Sequence, residues 1–177
     1  PDFGPPEFNA RAGATIIGAR PFLVAYNVNL ASGNLAAANT IARKVRESGH
    51  LEKGVRVPGR LKSLKALGVM VGGRNIAQIS MNVTDFTVTP PHAAFDACRE
   101  EAERLGERLN GSEVVGLIPR EPLLMAGRHA LGAKAFGLPE AALLQAGIGY
   151  LGLSALYPFE PDKKVLEFIL DTQGAPR

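Results

Sequence analysis

The chain of 177 residues contains one cysteine, no tryptophan and few aromatic residues. A single cysteine, Cys98, excludes a disulfide within the chain and is typical of a reducing compartment, which predicts a cytoplasmic location. Because Cys98 falls on the apolar stripe of a predicted helix, we expect it to pack in the core rather than act as a nucleophile. A net charge of +3 is too small to indicate nucleic-acid binding.

The sequence also lacks an initiating methionine and a secretory leader, since its first residues are rich in proline and glycine. We therefore expect it to be part of a longer protein. It has no clear membrane-spanning segment either. Residues 141–159 carry no charge but contain three glycines and a proline, which favours a buried helix leading into a loop.

Two strand-like segments carry a row of uncharged polar side chains on one face. Residues 22–30 and 76–84 alternate between apolar and polar positions, so the polar side chains of each segment share a face. Together these rows, called the polar floor below, are Asn27, Asn29, Gln78, Ser80 and Asn82. Burying such groups unpaired costs about 1–3 kcal/mol each, so the face is either hydrated or holds a polar ligand.

The order of predicted elements is strand, helix, strand, strand, helix, strand, which is typical of the ferredoxin-like split βαβ sandwich of the α+β class. We expect a mixed or antiparallel sheet with helices on one face and an open polar face. The predicted strands are 22–30, 66–71, 76–84 and 112–118. In this topology the first and third strands are central neighbours, which brings the two rows of the polar floor together.

The predicted helices differ in how clearly their ends are marked. The first helix follows a cap within Ser32–Asn34, and the second is capped by Thr89 and keeps Leu109 on its apolar stripe. Two later helical runs cover residues 120–131 and 140–147. A short apolar element follows at 163–170.

Residues 50–62 are predicted to form a basic loop, within a stretch of eight basic and two acidic residues between Arg43 and Lys65. Two interpretations remain open: a solvated face, or a site for a polyanion or several carboxylates. In the second interpretation, the residues that bind the carboxylates would be Arg56, Arg60 and Lys62. Because no aromatic residues are interleaved, the stretch does not favour nucleic-acid binding.

The three histidines are far apart in the sequence and none has a partner at a metal-binding spacing, so no metal is predicted. We expect His50 and His129 at the surface. His92 lies in the first turn of a helix, where the helix dipole disfavours its charged form, and a structural role is expected for it.

Five segments resemble the glutamate formiminotransferase family, the transferase part of formiminotransferase-cyclodeaminase. They are PDFGPPEFNARAGATIIGARPFLVAYNVNL (1–30), VPGRLKSLKALG (57–68), NIAQISMNVTDFTVTPPH (75–92), SEVVGLIP (112–119) and LGLSALYPFEPDKKVLEFIL (151–170). The resemblance is colinear and covers essentially the whole chain.

The resemblance implies transfer of a formimino group between 5-formimino-tetrahydrofolate and glutamate, a reaction of histidine degradation and one-carbon metabolism. Tetrahydrofolate is then a co-substrate, and no metal is implied. The chain would be the C-terminal subdomain (16–172) with a preceding linker (1–15) and a tail (173–177). Its partner would be an upstream subdomain that carries the family's catalytic histidine. No catalytic residue is therefore expected here, and the chain alone should be inactive.

The same resemblance implies that the linker binds folate and that the sheets of the two subdomains stack around a folate cavity lined by the polar floor. The folate-binding residues would be Gly4, Pro5, Pro6, Glu7, Phe8, Asn9, Ala10, Arg11, Ala12 and Gly13. A homodimer through the uncharged segment 141–156 is a further expectation.

Two alternatives stay open: formyl transfer between the same partners, and a non-catalytic ferredoxin-like domain for ligand binding or assembly. RNA binding by the sheet is disfavoured, because Phe22 and Tyr26 lie on the face opposite Asn27 and Asn29.

Overall fold

The structure, a computed structural model, describes residues 2–172, so Pro1 and the predicted tail 173–177 lie outside the described residues. Its elements, in chain order, are β1 (Val24–Leu30), α1 (Leu35–Val45), β2 (His50–Glu52), β3 (Val55–Val57), β4 (Leu64–Met70), β5 (Ala77–Val83), α2 (Pro91–Arg104), β6 (Leu109–Val115), α3 (Arg120–Leu131), a 3-10 helix (Gly132–Ala135), α4 (Glu140–Leu151), α5 (Pro161–Lys164) and α6 (Leu166–Thr172).

Four strands form one antiparallel sheet in the order β4-β5-β1-β6. The first and third strands of the predicted pattern, β1 and β5, are central neighbours, and their register pairs Asn27 with Ser80 and Asn29 with Gln78. The strand order and the two crossover helices confirm the predicted ferredoxin-like α+β fold.

The core lies between one face of this sheet and the helices. The apolar row of β1, which includes Tyr26 and Val28, is fully buried there. Helix α1 faces it with Ala38, Ile41 and Val45, whose spacing of three and four residues forms one apolar stripe. Cys98 is buried in the same core beside Met81, and burial raises the pKa of its thiol, as expected for a packing residue.

The stretch predicted as a basic loop is instead mostly a β-hairpin. Strands β2 and β3 pair across Lys53 and Gly54, which both have positive φ, as in type I′ hairpin turns. The prediction was wrong because two strands of three residues each are too short to show an alternation within a run of charged side chains.

The start of α2 also differs from the prediction. Thr89 does not cap the helix, because its hydroxyl donates a hydrogen bond of 2.6 Å to the carbonyl of Lys62. Pro90 occupies the cap position, and Pro91 lies at the first helical position, where its missing N–H is not needed. Thr89 thus ties the helix start to the segment that leads into β4.

The end of α2 lies earlier than predicted. The helix ends at Arg104, and the amide of Glu107 donates back to the Ala102 carbonyl at 2.9 Å. Leu109 therefore belongs to β6 rather than to the helix, and β6 begins three residues before the predicted strand. An apolar residue at the helical spacing was ambiguous here, since the same residue fits the alternation of the strand.

Helices α3 and α4 form an antiparallel pair beside α2. Helix α3 has the predicted bounds, whereas α4 extends four residues beyond its predicted end. The two helices approach closely at Gly127 and Gly147, which sit against the backbones of Leu143 and Leu123 respectively. Within residues 2–172, no helix is both long and apolar enough to cross a bilayer.

Candidate functional site

The five residues of the polar floor share the sheet face away from α1 and α2, and their role in binding a ligand stays a prediction. In the antiparallel register its two rows lie side by side, because Asn27 faces Ser80 and Asn29 faces Gln78 across the β1–β5 ladder. Asn82 extends the row at the far end of β5, opposite Lys65 of β4. The floor is therefore continuous over the two central strands.

The burial of the floor changes along its length. Asn27, Asn29 and Gln78 are buried, Ser80 is half-buried and Asn82 is exposed. The part of the floor at the Gln78 end is thus closed over, whereas the end near Asn82 is open to solvent. A ligand that lies along the floor would meet a graded environment, from desolvated amides at one end to water at the other.

A charged residue that the sequence reasoning missed, Glu113 of β6, lies beside the floor. The β1–β6 register pairs Glu113 with Asn27, which places both on the same sheet face. Its Oε1 accepts hydrogen bonds from Asn27 Nδ2 at 3.0 Å and from Gln78 Nε2 at 2.9 Å. The signal was present, since Ser112 and Val114 alternate with Glu113 and turn to the core.

The innermost residue of the floor keeps an unused donor. Asn29 is fully buried, and its Oδ1 accepts a hydrogen bond of 2.7 Å from Gln78 Nε2. Within residues 2–172 its Nδ2 has no hydrogen-bond partner. A buried donor without an acceptor costs about 1–3 kcal/mol, so a carbonyl or ring-nitrogen acceptor would be stabilised here if the residues that cover Asn29 moved to admit it.

The linker forms a second concavity, with a lining that is partly apolar. Its chain curls at Asn9, whose Oδ1 accepts hydrogen bonds from the amides of Arg11 (3.1 Å) and Ala12 (2.9 Å), while the amide of Gly13 donates to the Asn9 carbonyl. The curl encloses an open cavity of about 900 Å³, lined by most of residues 3–15. Phe8 is largely exposed, which leaves an aromatic ring for a flat ligand.

The three basic residues predicted to bind carboxylates have partners within the chain. Arg60 forms an ion pair of 2.5 Å with Glu100 of α2, Lys62 lies 3.7 Å from Glu47, and Arg56 donates to the carbonyl of Ser48. The Arg60 guanidinium lowers the pKa of the Glu100 carboxyl. Their partners belong to α2 or follow α1, so the structure does not bring these residues to the polar floor.

Two histidines that are distant in sequence form a stack on the helical layer. The rings of His92 and His129 lie 4.5 Å apart and nearly parallel, which differs from the expectation of scattered residues. His129 Nε2 lies 2.9 Å from Asp96 Oδ2 and 3.1 Å from the Tyr150 hydroxyl, which donates to Asp96 Oδ1 at 2.5 Å. This network joins α2, α3 and α4. His129 is exposed, as predicted.

Stability should fall between neutral and mildly acidic pH through His92. Burial and, to a lesser extent, neighbouring His129 lower the pKa of His92 below 6.5, although Asp96 acts in the opposite direction. As the pH falls, His92 is therefore protonated in the unfolded chain before it is protonated in the folded chain. Its contribution to stability is fully present above pH 6.5 and is lost as pH falls through the folded pKa. Urea unfolding at pH 7.5 and 5.0 should show a smaller difference in His92→Gln than in wild type. An unchanged difference would contradict this role.

The site as a whole offers groups that can bind and orient a polar ligand. Among residues 2–172 no group of three histidine, cysteine, aspartate or glutamate residues is arranged to hold a metal ion. The only thiol in the sequence is buried in the core with a raised pKa. The floor offers amides and one hydroxyl, and Glu113 beside it adds one carboxylate; these groups can orient a polar planar ligand by hydrogen bonds.

Comparison with known proteins agrees with the resemblance read from the sequence. Residues 25–171 match the family described as formiminotransferase domain. The chain is 41% identical over 171 residues to formimidoyltransferase-cyclodeaminase of Dictyostelium discoideum, covering 96% of this chain and 31% of that protein. The mouse protein of the same name is 39% identical over 175 residues, covering 98% and 32%.

Another relative is shorter, and its name gives the transferase activity without the cyclodeaminase activity. Glutamate formimidoyltransferase of Streptococcus pyogenes is 39% identical over 136 residues, which covers 77% of this chain and 42% of that protein. The chain thus spans about a third of the length of the curated bifunctional relatives.

Proposed function

Since the chain belongs to the formiminotransferase domain family, we propose that the protein carrying it transfers a formimino group between 5-formimino-tetrahydrofolate and glutamate. The observation that carries the proposal is the polar floor, a partly buried set of hydrogen-bonding groups with an unused donor at Asn29 Nδ2. A face of this kind is costly without a ligand and matches a pterin, whose edge alternates donors and acceptors.

Tetrahydrofolate is proposed as a substrate that spans the linker and the floor. In sequence, residues 4–13 correspond to the family's folate-binding segment and match its pattern at Gly4, Pro5, Phe8 and Gly13, whereas the other residues of 7–12 diverge. The open cavity of about 900 Å³ beside them is large enough for part of a folate molecule. Residues 1–15 are proposed as this folate-binding linker and 16–172 as the subdomain that bears the floor. The exposed Phe8 ring supports a stacking contact with an aromatic part of the substrate.

The proposed reaction moves one carbon between two amines. N5 of tetrahydrofolate attacks the formimino carbon of N-formimino-glutamate, and a tetrahedral intermediate forms. The bond from that carbon to the glutamate nitrogen then breaks, while a proton passes from N5 to the departing amine. A general base and acid are needed for the proton. We assign them to an upstream subdomain, and to this chain the positioning of both substrates.

For the carboxylates of glutamate or folate, the basic segment remains the proposed region. We add Lys65 to the residues proposed to bind these carboxylates, because it faces Asn82 across the β4–β5 ladder and is exposed on the floor side of the sheet. Arg56, Arg60 and Lys62 stay a prediction, since each would have to exchange its present partner for a substrate carboxylate.

Partners follow from the same proposal. The transfer needs an upstream subdomain whose sheet covers the polar floor, which would also enclose the exposed side chains Leu67 and Val115 on the same face. A homodimer and a cytoplasmic location remain expectations. Formyl transfer is the alternative chemistry, and it is distinguished below by the charge of the transferred group.

Folate binding is expected to depend on both halves of the cavity. Calorimetric titration with 5-formyl-tetrahydrofolate, a stable analogue, should give at least about tenfold tighter binding to the protein with an upstream subdomain than to this chain alone, because the floor alone is open on one side. p-Aminobenzoyl-glutamate, which lacks the pterin, serves as the control and should bind weakly to both. If neither protein bound the analogue, the folate cavity would be wrong.

A further inference from the structure

Glu113 is a carboxylate fixed in place without a cation. Asn27 Nδ2 and Gln78 Nε2 both donate to the same oxygen, Oε1, from the two central strands. Within residues 2–172 its other oxygen, Oε2, has no hydrogen-bond or ion-pair partner. The two amides therefore hold the carboxylate at one end and leave the other end available.

The surroundings of Glu113 do not neutralise its charge. Lys164 lines the same small hollow, but its Nζ donates to the Val114 carbonyl at 3.4 Å and forms no ion pair with Glu113. Amide donors satisfy hydrogen-bonding capacity but add no positive charge, and a partly buried carboxylate is costly without a counter-charge. The arrangement is complementary to a cation brought by a ligand. The sequence predicted only an uncharged floor and therefore no such cation-binding group.

Resting on the proposed function, the geometry points to the formimino group itself as that cation. An amidine is a strong base and is protonated at neutral pH, so the group to be transferred is a planar cation with N–H donors. We propose that Glu113 accepts these N–H groups through Oε2 and so binds the protonated formimino group. Carboxylates pair with planar nitrogen cations in this way when they bind arginine.

This contact would also set the specificity of the reaction. A formyl group has the same size but is neutral, and its carbonyl oxygen is an acceptor that would face the acceptor oxygen of Glu113. The carboxylate thus attracts the substrate that carries a formimino group and repels one that carries a formyl group, so both effects contribute to specificity. Asn27 and Gln78 act as positioning residues, because they fix the side chain that makes the contact.

The test is Glu113→Gln in the complete enzyme, meaning this chain together with its upstream subdomain. With tetrahydrofolate and N-formimino-L-glutamate, kcat/KM should fall about 10–100-fold, since a charge-assisted contact becomes a neutral one. The inhibition constant of N-formyl-L-glutamate should change less than about threefold or become tighter. Equal weakening of both ligands would overturn the proposal, because loss of structure would affect them alike.

Glu107→Gln is the matched control. Glu107 also accepts two side-chain hydrogen bonds, from Ser32 and Asn34 at 2.7 Å each, but it lies outside the floor. Its kcat/KM should stay within about twofold of wild type. The melting temperature of both variants shows whether each is folded at the assay temperature.

Calorimetry separates this inference from the proposed function. If the wild-type enzyme did not transfer the formimino group, the proposed function would be refuted. Its relative affinity for N-formimino-L-glutamate and N-formyl-L-glutamate would still test the role of Glu113. At least tenfold tighter binding of the formimino compound, lost in Glu113→Gln, supports the contact. Equal affinity of wild type for the two compounds would overturn it, whatever the turnover and whether or not the variant folds.

Discussion

Replacing Gly127 by alanine should lower the free energy of unfolding by about 3 kcal/mol, at the upper end of the cost of overpacking. A Cβ at this position would lie 1.9 Å from the carbonyl oxygen of Leu143 and 2.7 Å from its carbonyl carbon. The atoms it meets are backbone, so no side chain can rotate away. Helices α3 and α4 would have to separate, and the apolar contacts between them would weaken.

Gly149→Ala is the matched control for this prediction. Gly149 lies in the same helix pair, on α4, but within residues 2–172 a Cβ there would meet no atom within 4 Å beyond its chain neighbours and the backbone of its own helix turns. Alanine has the higher helix propensity, so this variant should be stabilised by about 0.5–1 kcal/mol. Urea unfolding followed by circular dichroism measures both changes. A similar small effect of the two substitutions would contradict the close approach of α3 and α4.

The features that the sequence predicted correctly are those encoded by local periodicity. The alternation in residues 22–30 and 76–84 was sufficient for β1, β5 and the polar floor, because a strand turns every second side chain to one face. The bounds of α3 were also predicted, from the proline before it and its helical stripe. Element order then limited the topology to a known pattern, which placed the two rows side by side.

Features that depend on contacts between distant segments were not predicted. The pairing of Glu113 with Asn27 needs the register of β6 against β1, which contains an irregularity after Val28. The stack of His92 on His129 depends on how α2 meets α3. The alternation of Ser112 and Val114 with Glu113 indicates the face on which Glu113 lies. Neither pairing has a local signal, however, since the partners in each case are separated by more than thirty residues.

The basic segment shows a different kind of limit. Arg60 is predicted from charge to bind a substrate carboxylate, and in the structure it pairs with Glu100 of the same chain, 40 residues away. Its binding of a substrate carboxylate stays a prediction. Charge density in a sequence does not distinguish a ligand-binding cation from one that ties a loop to a helix. The opposite holds for Lys65, which looked like one of many basic residues yet lies on the floor side of β4.

Gln78→Met should reduce both stability and substrate positioning, because Gln78 joins the two inner groups of the site. Its Nε2 donates to Asn29 Oδ1 and to Glu113 Oε1, and methionine of similar length donates to neither. Fully buried Asn29 would then have no partner for either amide atom within residues 2–172. We expect unfolding free energy to fall by about 2–4 kcal/mol, since each unsatisfied buried group costs about 1–3 kcal/mol.

Asn82→Met on the same face of the same strand is the control for this change. Asn82 is exposed and makes no side-chain hydrogen bond in the described part of the chain, so its replacement should alter stability by less than about 0.5 kcal/mol. Chemical unfolding of both variants provides the comparison. If Gln78→Met were as mild as Asn82→Met, the hydrogen bonds of Gln78 would contribute nothing measurable to stability.

The double variant Gln78→Met, Asn29→Leu tests whether the buried amides of the polar floor serve stability or ligand binding. Replacing both hydrogen-bonding partners by apolar groups is often nearly neutral for stability, so the second substitution should recover a large part of the loss caused by the first. Folate binding and formimino transfer should not recover with it, because the donor at Asn29 Nδ2 and the support of Glu113 are both gone. Recovered stability without recovered binding would mean that these amides are present for the ligand. Recovery of both would place the substrate elsewhere.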